Sequence, residues 1–349
     1  MQNLASFLSV IGQEVEDADE ESFLLFSQDI PSSNLGFVDS KATAIDIPIH
    51  DREYTIHQSP TLLSSSRAGG TTGAVLWKIT PLFAEWLSKT SSNPLWTNSL
   101  LTPSSTVVEL GCGISALTAL ALSPLLEPTG KHGQGHYLAT DQEYVHRLFR
   151  QNLLSNPPTS SSAKKPSKGS STRGKKQQKA SSTSSSSGSG STENANAHPH
   201  PNITFTSLDW ETDHPDTLKQ QIQTQSQPLH RRITDEGEGS PEDKGFDLLL
   251  SCDCIYNEAL IEPFVRACAE IARLRPLFQS GSEAEAAGAR DGRPTVCVIA
   301  QQQRSPDVFE AWLREAMRWF RVWRVGDDVL GPGLGVGSGY LVHVLVLRG

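Results

Sequence analysis

Four carboxylates and a phenol stand where apolar runs stop. Glu109 sits at the end of VVELG, Asp141 closes HYLATD, Asp209 ends NITFTSLD, and Asp253 and Tyr256 follow FDLLLSC. Core strands avoid charge, because an unpaired buried carboxylate costs several kcal/mol or gives up its charge. A single acid at a strand end is commonly a solvated cap. Three in succession (Glu109, Asp141, Asp209), with Asp253 after a fourth run, point instead to the rim of a site. Carboxylates in that setting suit a cation or a pair of hydroxyls.

The stretch VVELGCGISALTALAL narrows the ligand. Gly111-x-Gly113-x-x-Ala116 lies between an expected strand and an expected helix, the place where a nucleotide-type ligand meets a doubly wound sheet. One glycine serves the tight turn, and both let the backbone approach a ligand without a Cβ. A nicotinamide cofactor usually finds an apolar residue two positions before the first glycine, whereas Glu109 stands there. Its charge opposes a pyrophosphate and favours a cation. S-adenosyl-L-methionine, with an ammonium and a sulfonium, meets that demand. Asp141 is placed to accept both ribose hydroxyls, and Asp209-Trp210 offers an acceptor and an indole wall near the adenine.

The elements that must hold these residues alternate along the chain. Strands are expected at Val107–Gly111, His136–Asp141, Asn202–Trp210, Phe246–Asp253, Thr295–Gln302, FRVWRV and Tyr340–Leu347. Helices are expected behind Gly113, over YVHRLFRQNLL, over Leu260–Leu274 and over Pro306–Trp319. Continuous apolar strands alternating with helices imply an α/β fold: a Rossmann-like, seven-stranded, mostly parallel sheet. The short Gly-rich link before the last strand leaves no room for a crossover helix, so that strand is expected to be antiparallel. Ahead of this domain, TAIDIPI and REYTIHQ read as a β-hairpin with Ile45, Ile47 and Ile49 on one face, and TTGAVLWKITPLFAEWL leads into a helix. The reading divides the chain into an N-terminal extension (1–40), a hairpin-and-helix unit (41–100) and a main domain (101–349). The first thirty or so residues are not placed.

Composition bounds the rest. The 349 residues are 37% hydrophobic and carry a net charge of −9, which argues against a general nucleic-acid binder. A Ser/Lys/Gly-rich insert at about 157–201 lacks large aliphatic residues and is read as disordered. It holds seven basic residues and one acid, so the remainder of the chain carries −15. Two further polar loops are expected at 224–243 and 280–293. Five cysteines, mostly inside apolar runs, suit reduced thiols in a cytoplasmic or nuclear setting. Cys252 and Cys254 have no second pair at zinc spacing, so no metal site is expected. The acidic N-terminus does not read as a secretory signal, and no apolar run reaches membrane-span length.

The order ELGCG, TD, LDW and SCDCIY resembles the seven-β-strand S-adenosylmethionine-dependent methyltransferases, and more narrowly the methyltransferase-like protein 21 family of protein-lysine methyltransferases. GQEVEDADEESFLLFSQDIPSSNLGFVDS and SPTLLSSSRAGGTTGAVLWKITPLFAEWL are similar to fungal ribosomal lysine N-methyltransferases. The resemblance implies that Trp77 closes over the cofactor, that Gly111, Cys112 and Gly113 line its methionine portion, that Asp141 binds the ribose, and that Trp210 flanks the adenine. Cys252 would lie next to the cofactor, and Asp253 with Tyr256 matches a D-x-x-Y motif. Cysteine at 112 and 252 departs from the family's commoner alanine.

The implied activity is N-methylation of a lysine on a basic ribosomal protein, of the large subunit, by a monomer without membrane or specific nucleic-acid partners. Asp253 is assigned to orienting the amine and Tyr256 to walling its slot by cation–π contact. Nucleobase methyltransferases of this fold carry prolines at that strand end, which this chain lacks. The alternatives weighed are such a nucleic-acid methyltransferase and a non-catalytic, cofactor-binding assembly factor.

Overall fold

The computed structural model describes residues 2–31, 35–66, 70–126, 135–158, 199–218, 245–275 and 293–349. Nearly all of the Ser/Lys-rich insert, and the polar loops read at 224–243 and 280–293 apart from Arg293, lie outside the described residues. In chain order the elements used below are α1 (Gln2–Ile11), β1 (Gly12–Glu14), α2 (Ala18–Phe26), β2 (Ala44–Ile49), β3 (Arg52–His57), α3 (Ile79–Leu87), β4 (Thr106–Leu110), α4 (Leu117–Leu122), β5 (His136–Asp141) and α5 (Glu143–Ser155). They continue with β6 (Ile203–Ser207), β7 (Leu248–Cys252), α6 (Ile261–Ala272), β8 (Val296–Gln302), α7 (Pro306–Trp319), β9 (Phe320–Val325) and β10 (Tyr340–Leu347).

Eight strands form one sheet in the order β1-β9-β10-β8-β7-β4-β5-β6, and β2 with β3 makes a separate hairpin. The ladders β4–β5, β5–β6, β4–β7 and β7–β8 are all parallel. β10 inserts between β8 and β9 and is antiparallel to both, as the short Gly-rich link requires. The fold class read from the sequence is therefore observed, with one additional strand. β1 pairs antiparallel with β9 and caps that edge, so the unplaced N-terminal segment belongs to the sheet. Three residues with little apolar content carry no strand signal; tertiary pairing alone creates β1.

Strand side chains alternate between two buried layers, which is why these strands read as continuous apolar runs. Val107 and Leu248 face a layer containing α1, α3, α4, α5 and the hairpin, while Val108 and Leu249 face α2, α6 and α7. In α5 the spacing Val145, Phe149, Leu153 places one stripe inward, and all three are buried. α7 begins at Pro306 behind Ser305, whose hydroxyl accepts the amide of Val308. In β2, Ile47 and Ile49 are buried on one face, as the alternation demands.

β4 starts the parallel run, β5 and β6 follow to one side, and the chain returns to place β7 on the other. The crevice at the C-terminal ends of β4 and β7 is thus the topological switch point of the sheet, where such folds admit ligands.

The edge contact of β1 tolerates no side chain at Gly12, where a Cβ would lie 1.9 Å from the carbonyl oxygen of Arg324. Gly12→Ala is expected to break the β1–β9 register and lower stability by ~2 kcal/mol, read as a fall in the midpoint of denaturant unfolding.

Candidate active site

The turn after β4 is built on left-handed backbone: Gly111, Gly113 and Ala116 have φ of 69°, 60° and 55°. α4 therefore begins at Leu117, several residues later than an immediate strand-to-helix switch would give. A Cβ at Gly111 would lie 2.3 Å from Cys254 Sγ and 3.4 Å from the Trp210 ring. Only bare backbone fits between that thiol and that indole.

Asp141 locks the turn. One of its carboxylate oxygens accepts the Gly113 amide at 2.8 Å and the other the amide of Gln142 at 2.7 Å. Burial nevertheless raises its pKa to about 6, against the lowering effect of those two amides. Glu109, 2% exposed, accepts the Tyr137 hydroxyl at 2.8 Å. Its desolvation outweighs that bond and pushes its pKa to about 7. Burial also raises the Cys112 and Cys252 thiols well above the ordinary range and pushes the Cys254 thiol up, so all three are protonated apolar wall groups at neutral pH.

These residues surround one cavity of about 1090 Å³, measured with its open mouth. Every position singled out from the sequence lines it: Trp77, Glu109, Gly111, Cys112, Gly113, Asp141, Asp209, Trp210, Cys252, Asp253 and Tyr256. Asp209 turns its Oδ1 toward the Glu211 amide at 2.9 Å. Trp210 packs edge-on against Phe264, and its Nε1 is buried without a partner among the described residues. Trp77 donates its Nε1 to the Thr72 carbonyl at 3.1 Å and packs against Phe37 at a centroid distance of 4.2 Å.

Asp253 departs from a simple amine-orienting carboxylate. It sits just beyond β7 with φ of 63°, a conformation that costs a non-glycine residue energy although aspartate tolerates it better than most. Its side chain is 2% exposed, and its two oxygens take a fork from Arg304, Nη1 at 2.6 Å and Nη2 at 2.5 Å. The Gln302 amide adds a third donor at 3.2 Å. Nor does Asp253 act as a cap: Asn257 accepts the Ala259 amide at the start of a short 3-10 turn, Glu258–Leu260, that leads into α6. Arg304 also lies over the Trp77 ring, 4.6 Å from its centroid. Sequence reading missed Arg304, because QQQRSP carries no motif and lies about fifty residues from Asp253. Tyr256 is 38% exposed at the mouth, and burial of its remainder raises its pKa.

Three features fit an S-adenosylmethionine-type cofactor. The left-handed Gly111–Gly113 turn brings backbone to the cavity wall, the Trp210 indole keeps a buried donor without a partner among the described residues, and the carboxyl groups of Glu109 and Asp141 line the same cavity. Glu109, Asp141, Trp210 and the Gly111–Gly113 backbone are the residues that would hold it.

No protein-family model matches the chain. Two curated proteins named ribosomal lysine N-methyltransferase 5 match most of it. The one from Zygosaccharomyces rouxii is 26% identical over 278 residues, 76% of this chain and 70% of that protein. The one from Candida glabrata is 28% identical over 289 residues, again 76% of this chain and 70% of that protein. A Schizosaccharomyces pombe protein named diaminohydroxyphosphoribosylamino-pyrimidine deaminase is 34% identical over 143 residues, 41% of this chain. The chain spans only about a third of that protein, 32%, and its named activity stays with it. Among solved structures, the citrinin polyketide synthase CMeT domain is 12% identical, with 78% of this chain and 56% of that one covered, at a TM-score of 0.38. The resemblance to ribosomal lysine methyltransferases noted in the motifs is borne out by the named relatives, and they and the site support a methyltransferase.

Two measurements check the site. Gly111→Ala is expected to weaken cofactor binding at least about tenfold in calorimetry and to lower the midpoint of denaturant unfolding, since its Cβ would displace Cys254 and press on Trp210 in the cavity wall. Glu109 and Asp141 both have folded pKa values raised above their ordinary ones, to about 7 and about 6. Their contribution to stability is therefore full below about pH 4 and lost as pH rises through 7. A cationic ligand reverses this preference. Its affinity is expected to rise between pH 5.5 and 7.5 with release of protons, by at most about tenfold per pH unit for each coupled group. Titrations in buffers of different ionisation enthalpy read that release.

Proposed function

We propose that the protein is an S-adenosyl-L-methionine-dependent protein-lysine N-methyltransferase whose acceptor is a basic ribosomal protein. The observation that carries this reading is the mouth of the cavity. A partly exposed phenol, Tyr256, lines the same cavity as Asp253 and the Gly111–Gly113 turn, in the D-x-x-Y arrangement noted in the sequence. The named relatives add the ribosomal lysine; the acidic body adds an encounter field, since a net charge of −9 steers a basic protein toward it.

When bound, S-adenosylmethionine supplies an electrophilic methyl group on a sulfonium. The chain's own task is to present a neutral amine in line with it. A free lysine, with pKa of about 10.4, is almost wholly charged at pH 7. Entry into a slot walled by Tyr256, Trp77 and the protonated cysteines strips water from the ammonium and lowers that pKa. The proton leaves to solvent at the mouth, and no side chain has to accept it during transfer. The Tyr256 ring holds the amine by cation–π and van der Waals contact and fixes its approach. Asp253 acts at one remove, by fixing the turn that presents Tyr256 and by holding Arg304.

Incubation with labelled cofactor and unmethylated ribosomal proteins, followed by mass-spectrometric mapping, tests the reading. Labelled lysine in one ribosomal protein is expected; cofactor binding without any labelled band would point instead to the non-catalytic assembly factor, and labelled RNA to a nucleic-acid enzyme. Tyr256→Phe keeps the ring and is expected to stay within about threefold of the parent in kcat/KM, whereas Tyr256→Ala loses at least about tenfold. Asp253→Ala is expected to lose activity together with stability, because it strands Arg304.

A further inference from the structure

Beyond Tyr256 lies a second, shallow cavity of about 250 Å³ with its open mouth, lined by Ile255, Tyr256, Gln301, Gln302, Arg304, Ser305, Val308 and Phe309. Tyr256 is the wall it shares with the cofactor cavity. Arg304 is held there from two sides, by the two oxygens of Asp253 and by the face of Trp77. A guanidinium has five N–H donors in a rigid fork. Asp253 takes two of them. The other three meet no acceptor among the described residues, although the side chain is 24% exposed.

A bare arginine at this mouth would repel a lysine-rich acceptor. Paired with Asp253 it is electrically close to neutral, while its directional donors remain. Neutral donors in a fixed plane suit main-chain carbonyls, which every acceptor sequence offers. The Gln302 side-chain oxygen takes the Gly36 amide at 2.7 Å, which fixes that side chain beside Arg304, and the guanidinium contributes its three further N–H groups in one fixed plane.

We propose that Arg304 is an acceptor-positioning residue: its three uncommitted N–H groups bind main-chain carbonyls of the peptide flanking the target lysine, laid in the cavity beyond Tyr256. The proposal rests on the lysine-methyltransferase reading above. Asp253 and Trp77 serve the same purpose from behind by holding the fork rigid. The acceptor is thereby gripped on two sides of Tyr256, by the slot at its side chain and by Arg304 at its backbone. Affinity on this side of the phenol is indifferent to side-chain sequence.

The test uses the full chain, tritiated S-adenosylmethionine and unmethylated ribosomal proteins. Arg304→Gln is expected to raise KM for the protein acceptor at least about tenfold with kcat changed less than about threefold, and to leave the Kd for S-adenosylmethionine within about threefold. Arg304→Lys, which keeps the charge and loses the fork, is expected to restore little of the lost KM. Because Arg304→Gln strands the Asp253 carboxylate, the Asp253→Asn/Arg304→Gln pair is measured beside it; folded by thermal melting, it should show the same raised KM. An unchanged KM in the folded pair overturns the proposal, as does an equal loss of cofactor affinity, which would make Arg304 a prop for Trp77 alone. A parent protein that binds the cofactor yet labels no ribosomal protein removes the underlying reading, and the proposal with it, a result distinct from an unchanged KM.

Discussion

A carboxylate at the rim of a buried parallel sheet must find donors or lose its charge, and this constraint shapes the whole site. Each of the four rim acids meets it differently. Glu109 leans on the Tyr137 hydroxyl and Asp141 on two backbone amides, while Asp209 turns to a neighbouring amide and Asp253 takes a guanidinium fork. The strength of the donors decides the outcome. Neutral hydroxyl and amide donors leave Glu109 and Asp141 with raised pKa values. Asp253 instead has a full positive partner and serves as an anchor. Breaking a buried pair of this kind typically costs 3–5 kcal/mol, which is why the anchor is hard to move.

The same constraint joins distant parts of the chain. Asp141 bonds to Gly113, tying the end of β5 to the turn after β4 and setting the cradle against Trp210. Asp253 bonds to Arg304, tying the end of β7 to the segment after β8, and Arg304 reaches the Trp77 face. Trp77 in turn pairs with Phe37 through a single antiparallel bridge. The N-terminal segments thus belong to the site as much as to the fold: β1 closes the sheet edge, and Gly36–Phe37 backs the wall of the cavity.

Local pattern made much of this legible. The stripe Val145, Phe149, Leu153, the Ile47–Ile49 alternation, and the unbroken apolar runs of β7, β8 and β10 each specify an element by its own periodicity. So do Gly111 and Gly113, since a turn of positive φ has few other solutions. The rim positions of Glu109, Asp141, Asp209 and Asp253 followed from the same strands, and all of them line one cavity. What stayed hidden had no local signature. β1 is three residues made into a strand by β9, and Arg304 is one cation among many until Asp253 lies beside it.

The sequence by itself determined the α/β alternation, the glycine turn and the file of acids at successive strand ends, because burial and backbone geometry act on neighbours along the chain. Only the tertiary structure decided which acid rests on neutral donors and which is an anchor. That distinction depends on the donor each one meets, and those donors come from segments as far apart as Tyr137 and Arg304. Pairing energy is set by distance in space, and no spacing in the sequence encodes it.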